Sequence, residues 1–228
     1  MNETDRYVSE YLDLRLIDCM ELMAQYPDKH FDLAIVDPPY GIGLNGRNVI
    51  KNRSDEANEK IMGRTHEWDK APPPPEYFLE LRRVSKEQII WGGNYFLDHL
   101  GYCKAPIIWD KLNGNSLYAD GEMAWTSKGL PRNLKIFRHQ WWGAIKASER
   151  GVKRIHPTQK PIALYKWLLA NYAKPGYKIL DTHLGSGSIA IACHFAKIHL
   201  TGCEIDPGYF RDACERIARE TSQANLEL

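Results

Sequence analysis

The chain has 228 residues, of which 43% are hydrophobic and 26% charged, and its formal net charge is +1. This balance excludes a wholly disordered, collagenous or coiled-coil protein, and the length suits one α/β domain rather than two. No basic N-terminal start leads into an apolar run and no stretch approaches the ~20 apolar residues of a membrane span, so a cytoplasmic protein with no membrane partner is expected.

In chain order, residues 12–17 predict a strand and 19–26 a short helix. Phe31-Asp32-Leu33-Ala34-Ile35-Val36 predicts a buried strand that ends at Asp37-Pro38-Pro39-Tyr40. Residues 41–75 are glycine-bearing, charged and aperiodic, closing on Pro72 to Pro75, which predicts a lid loop with an extended end. Residues 76–86 predict a helix from the spacing of Tyr77, Phe78, Leu81 and Val84, and 88–91, 105–109 and 122–126 predict short strands. From Pro161 the pattern is regular: helix, strand 177–181, glycine turn, helix 188–197, strand 199–204 and helix 207–220. Such a βαβα run predicts a parallel sheet with helices on its faces.

Charge is segregated along the chain. Residues 1–37 carry nine acids and three bases, a net −6. Residues 128–154 carry Lys128, Arg132, Lys135, Arg138, Lys146, Arg150, Lys153 and Arg154 against the single Glu149, a net +7, which points to one face meeting a polyanion. Trp141 and Trp142 in that segment read as an apolar anchor rather than a wedge for bases. The five cysteines, Cys19, Cys103, Cys193, Cys203 and Cys214, are odd in number and lack a C-x-x-C spacing, so reduced thiols and no metal site are expected.

Two constellations carry chemistry. In Asp181-Thr182-His183-Leu184-Gly185-Ser186-Gly187, Gly185 and Gly187 allow a tight strand-to-helix turn against a ligand, and Glu204 ends the next strand. With Ala190 the spacing also satisfies G-x-G-x-x-A, so a dinucleotide is a competing ligand. Asp181 separates the two, because a carboxylate there repels a pyrophosphate and attracts an ammonium. S-adenosylmethionine has the ammonium and no phosphate. His183 reads as a wall residue of this turn. In Asp37-Pro38-Pro39-Tyr40, two prolines remove backbone donors at a strand end and leave Asp37 and the Pro38 carbonyl as acceptors beside a tyrosine ring. That arrangement suits a planar group bearing an amine.

Together with Ile17-Asp18-Cys19 and His156-Pro157-Thr158-Gln159-Lys160-Pro161, these blocks resemble, in their order, the amino-directed DNA methyltransferases of the permuted β class, over about residues 12–210. The resemblance implies a Rossmann-like seven-stranded, mostly parallel sheet with circularly permuted motif order, S-adenosyl-L-methionine as cofactor and double-stranded DNA as partner. It implies that Asp37, Pro38, Pro39 and Tyr40 act on an extruded base, with Tyr40 stacking on it. Asp18 would meet the cofactor adenine, Thr158 and Lys160 its wall, and Glu204 its ribose, beside Asp181, Gly185 and Gly187. Where family members commonly have phenylalanine, this chain begins its turn with Thr182-His183.

The expectation is one domain over residues 1–228, with a lid at 41–75 and a small basic DNA-recognition insertion at about 127–155, short enough to leave room for a homodimer. The expected activity is methyl transfer to N6 of adenine, because Asp-Pro-Pro-Tyr goes mostly with adenine in the family and Gly41 and Gly43 leave space beside Tyr40 for a purine. Transfer to N4 of cytosine is the alternative. An NAD-linked oxidoreductase and an inactive nucleic-acid-binding module are more distant ones.

Overall fold

The computed structural model describes residues 5–43, 69–114, 119–130, 133–142, 145–146, 149 and 154–223. Its centre is a parallel block of five strands in spatial order β2 (Leu12–Leu16), β11 (His199–Glu204), β10 (Lys178–Asp181), β3 (Phe31–Val36) and β4 (Ser85–Trp91). Representative registers are Leu14 opposite Gly202, Ile179 opposite Leu33 and Ile35 opposite Ile89. Strands buried on both faces read as unbroken apolar runs, and β3 is such a run.

Side chains alternate across this block. Leu33, Ile35, Ile89, Trp91 and Ile179 pack in one core with helices α4 (Ile162–Tyr172), α5 (Ser188–Ala196) and α6 (Pro207–Gln223). Ala34, Val36, Ile90 and Leu180 pack in a second core with α1 (Cys19–Ala24), α2 (Pro75–Val84) and the short α3 (Leu97–Leu100). Helices therefore cover both faces, as expected.

Among the described residues the sheet has nine strands, not the seven implied by the resemblance. At one edge β1 (Arg6–Val8) pairs antiparallel with β2. It is short and polar, with no apolar run to announce it, and Asp13 of β2 ties it by accepting from Arg6 Nε at 2.8 Å. At the other end β6 (Gly121–Thr126) pairs antiparallel with β4, β5 (Ile107–Asp110) pairs antiparallel with β6, and β7 (Lys135–Arg138) runs parallel to β5. Thus β5 and β7 point the same way as β3, and β6 points the opposite way. β7 lies within the segment assigned to a DNA-recognition insertion, whose start is instead a sheet edge. A separate two-stranded ribbon joins β8 (Trp141–Trp142) to β9 (Ile145–Lys146).

Local rules explain most element ends. Asp18 caps α1 by accepting from Met20 N at 2.8 Å. Pro75 does not continue an extended segment but opens α2 at its first position, where a missing N–H costs nothing. Among the described residues no helix is long and apolar enough to cross a membrane.

Candidate active site

The chain connects β10 to β11 on one side and β3 to β4 on the other, so a crevice opens between β10 and β3 at their C-terminal ends. A cavity of about 420 Å³ lies there. Its walls come from the ends of β2 (Ile17, Asp18), β11 (Glu204), β10 (Thr182, His183) and β3 (Asp37, Pro39), with the His156 to Lys160 segment across from them. Glu204 and Asp37 are two strand intervals apart, roughly 10 Å at the usual ~4.8 Å spacing.

On the β11 side Glu204 and Gly185 meet directly: Gly185 N donates to Glu204 Oε2 at 2.9 Å, and Ile205 N and Asp206 N donate to its Oε1 at 3.0 Å each. Burial still pushes the Glu204 carboxyl up. Asp181 and Gly187, expected to touch a ligand, do not line the cavity. Asp181 is 3% exposed, lies beneath the wall formed by Thr182 and His183, and accepts from His183 N at 3.0 Å. Burial raises its carboxyl to about 8, so its work in this structure is to hold the turn. Gly187 backs onto Ile217 of α6.

His183 is a wall residue, as read from the sequence. Its Nδ1 lies 2.9 Å from Thr182 Oγ1, which in turn lies 2.7 Å from the buried Tyr77 hydroxyl of α2. Burial lowers His183 to about 4, and His156 also to about 4, so both imidazoles are neutral at pH 7. Thr158 Oγ1 lies 3.1 Å from His156 Nδ1.

The β3 side is organised by charge. Tyr40 donates its hydroxyl proton to Asp37 Oδ1 at 2.7 Å, and Lys160 donates to Asp37 Oδ2. Lys160 was assigned to a cofactor wall; it does line the cavity, but its ammonium is committed to Asp37 and to Glu122, 3.1 Å away. Gly92, with φ +67, allows the Tyr40 ring to lie so close that a Cβ there would be 2.1 Å from Cε1. The ring of Tyr95, 48% exposed, stacks on Tyr40 with centroids 5.0 Å apart and planes at 18°.

Gly41 does not make room for a purine. Its φ is +72, and a Cβ would meet Pro72 Cδ at 2.5 Å, so Pro72 already fills that space. Asp69, read as part of a lid, is instead a buried anchor whose Oδ1 accepts from Tyr40 N at 2.9 Å and Gly41 N at 2.8 Å. Trp68 and the rest of segment 44–68 lie outside the described residues.

Glu122, Lys111 and Tyr95 belong to this site and were not singled out from the sequence. No local signal marks the first two. Glu122 reaches Lys160 only because β6 runs backwards, which puts its N-terminal end beside the C-terminal end of β4. For Tyr95 the preceding Gly92-Gly93 turn was the available hint.

The described cations of the basic segment lie at both ends of the sheet. Lys128 follows the C-terminal end of the reversed β6, and Lys135 begins β7, so both exposed lysines lie at the end of the sheet away from the cavity. Arg138 ends β7 on the cavity side, exposed and 3.5 Å from Asp110 Oδ2. Arg154 is half-buried. Arg132, Arg150 and Lys153 lie outside the described residues, as does the Lys146 side chain. Glu149, the lone acid of the segment, is buried in an ion pair at 3.0 Å with Arg216 of α6. Trp141 is buried and donates Nε1–H to Gln159 O at 2.9 Å, the anchor role read from the sequence. The cysteines are free thiols.

Comparison with known proteins gives a consistent picture. Residues 122–215 match the family described as DNA methylase. The type II methyltransferase M.HinfI of Haemophilus influenzae is 26% identical over 246 residues, which cover 89% of this chain and 67% of that protein. The crystal structure of the M1.HpyAVI–SAM complex superimposes with a TM-score of 0.55 at 20% identity, covering 90% of this chain and 99% of the other. The PvuII DNA methyltransferase, described as cytosine-N4-specific, superimposes with a TM-score of 0.58 at 13% identity, covering 95% and 93%. The chain has the Rossmann-like α/β fold of these methyltransferases.

Proposed function

We propose that this protein transfers a methyl group from S-adenosylmethionine to an exocyclic amine of a base in double-stranded DNA. The observation that carries this reading is the pairing, in one cavity, of an acceptor cluster at Asp37 with a wall that is acidic rather than basic. Among the described residues, Asp18, Asp37, Glu204 and Asp206 line the cavity against one lysine, Lys160, which Asp37 and Glu122 already hold. A pyrophosphate would be repelled by such walls, which counts against an NAD-linked oxidoreductase; a nucleoside carrying a cationic sulfonium and ammonium is attracted. Glu204 would hold the ribose hydroxyls, Asp18 the adenine, and Gly185 and Thr158 the walls beside them. When bound, S-adenosylmethionine supplies an electrophilic methyl group on its sulfonium.

The chain's own work is to bind and orient the amine. An aromatic amine is a weak nucleophile because its lone pair is delocalised into the ring. Asp37 Oδ1 and the Pro38 carbonyl accept its two hydrogens, which returns electron density to nitrogen and fixes the pair along the line of attack. A carboxylate has about four acceptor directions, so Asp37 can take an N–H while keeping Tyr40 and Lys160. Extruding the base costs a few kcal/mol, which stacking on the Tyr40 and Tyr95 pair offsets.

For the base itself, Asp37-Pro38-Pro39-Tyr40 resembles the adenine-N6 members of the family. N4 of cytosine has a separate observation behind it. The space once counted for a purine is filled by Pro72, and the similar fold described as cytosine-N4-specific extends over 95% of this chain. Incubating unmethylated duplex DNA with the protein and labelled cofactor, then resolving the nucleosides by mass, tests both readings. Label in N6-methyladenine or N4-methylcytosine supports the reaction and selects the base, and Asp37→Ala is expected to lower it at least a hundredfold while calorimetric cofactor affinity falls far less, because three acidic wall residues remain. Label in neither base rejects the reaction.

A further inference from the structure

Four charged side chains from distant parts of the chain meet beside the cavity. Asp37 follows β3, Lys111 follows β5, Glu122 lies in β6, and Lys160 precedes α4. Lys160 Nζ donates to Asp37 Oδ2, lies 3.1 Å from Glu122 Oε2 and 3.4 Å from the Tyr40 hydroxyl, and is 3% exposed. It also sits 5.5 Å from the Trp91 ring centroid and 5.9 Å from that of Tyr40. Lys111 Nζ completes the set 2.6 Å from Glu122 Oε1.

The methyl-transfer reading, on which this inference rests, requires Asp37 to accept from an amine. A protonated carboxyl presents an O–H to that amine and fails. Burial favours the protonated form, so something in the pocket must oppose it. We infer that Lys160 is a positioning residue: held between Asp37 and Glu122, its ammonium keeps the Asp37 carboxylate charged and aimed at the amine, and Glu122 sets how much of that ammonium Asp37 receives.

The groups around Asp37 act in known directions. Burial pushes its carboxyl up, Lys160 pulls it down, Glu122 pushes it up and the Tyr40 hydroxyl pulls it down, with a net rise. Asp181 at the end of β10 and Tyr165 of α4 complete the ionisable neighbours, and His156 faces Lys160. Burial works against the Lys160 charge, but Asp37 and Glu122 together raise it. Burial likewise pushes Glu122 up, yet Lys160 and then Lys111 bring it down to about 2. Asp37 is thus the member of the set whose charge is most easily lost.

Opposite substitutions must then move Asp37 in opposite directions. Glu122→Gln removes a like charge and releases Lys160 to Asp37, so the acid limb of the rate profile on unmethylated duplex DNA moves down by about one pH unit. Lys160→Met moves it up by about one unit or more, with activity lost at the acid end of the profile and recovered at higher pH, while Lys160→Arg keeps the parent limb. The infrared band of the protonated Asp37 carboxyl, identified by its loss in Asp37→Asn, is titrated in the same variants and follows the same shifts without any turnover. Equal losses at every pH, shifts of one sign in both variants, or an unmoved infrared titration in Glu122→Gln overturn the inference. A parent protein that methylates nothing, yet shows the opposed infrared shifts, rejects the reaction and keeps the charge set. Glu122→Gln changes no charge inside the Asp37–Lys160 pair, so it decides the matter if Lys160→Met does not fold.

Discussion

Asp181 separates two duties that the sequence cannot tell apart. A carboxylate before a glycine turn can face a ligand or face the turn, and here it faces the turn, accepting from His183 N. The consequence is a link between folding and protons. With its carboxyl raised to about 8, folded Asp181 keeps a proton that the unfolded chain sheds above ~4, so this residue lowers stability as pH climbs from about 4 to 8. His156 and His183, held near about 4, act with the opposite slope: below ~6.5 the unfolded imidazoles take protons and the folded ones do not, so stability falls as pH drops toward 4. Asp181→Asn keeps the acceptor for His183 and removes only the first slope. Its melting temperature is expected to exceed the parent's by a margin that widens from pH 5 to pH 8. A margin that does not change with pH, measured by calorimetry, contradicts a buried protonated carboxyl.

At the scale of elements, α6 is tied to the glycine turn after β10 by the buried Arg216. Arg216 Nη1 donates to Ser186 O at 2.8 Å and Ser188 Oγ at 2.9 Å, and Nη2 to Glu149 Oε2 at 3.0 Å. Glu149 Oε1 in turn accepts from Ile162 N at 2.8 Å, satisfying a donor at the start of α4. Removing one partner of such a pair leaves a buried charge alone, which costs about 3–5 kcal/mol. Arg216→Met is therefore expected to lower the urea-unfolding free energy by about that amount, and Glu149→Gln added to it should restore more than about 1 kcal/mol. Strict additivity of the two changes would mean that the pair is not coupled. What the sequence made legible follows the same division between local and distant. β3, α4, α5 and β11 announce themselves by periodicity, prolines and glycines, and the acceptor block at Asp37 is contiguous. Glu149, Glu122 and Lys111 take their meaning from partners 67, 38 and 11 positions away, and no period in the chain encodes that. Strand direction is equally silent: a short apolar run such as that in residues 121–126 looks the same read forwards or backwards.

For the whole molecule, strand direction decides where DNA can lie. The cavity opens at the C-terminal ends of the parallel strands, so under the proposed reaction a base entering it would come from a duplex lying across that end of the sheet. β7 runs with β3, which places Arg138 at the duplex end and Lys135 three residues back, roughly 10 Å toward the far end at ~3.3 Å per residue. Composition alone counted the two as equivalent charges. Their phosphate contacts should differ, because salt dependence of binding changes by about 0.9 in log–log slope for each phosphate neutralised. Arg138→Glu is expected to weaken binding to duplex DNA of any sequence and to flatten that slope by about one, whereas Lys135→Glu, on a surface remote from the cavity, leaves it within about 0.3. Fluorescence anisotropy over a salt series separates the two. Equal flattening by both variants would mean that the duplex wraps the β7 edge along its length, and flattening by Lys135→Glu alone would move the DNA to the opposite end of the sheet, away from Asp37, and remove the path by which a base reaches it.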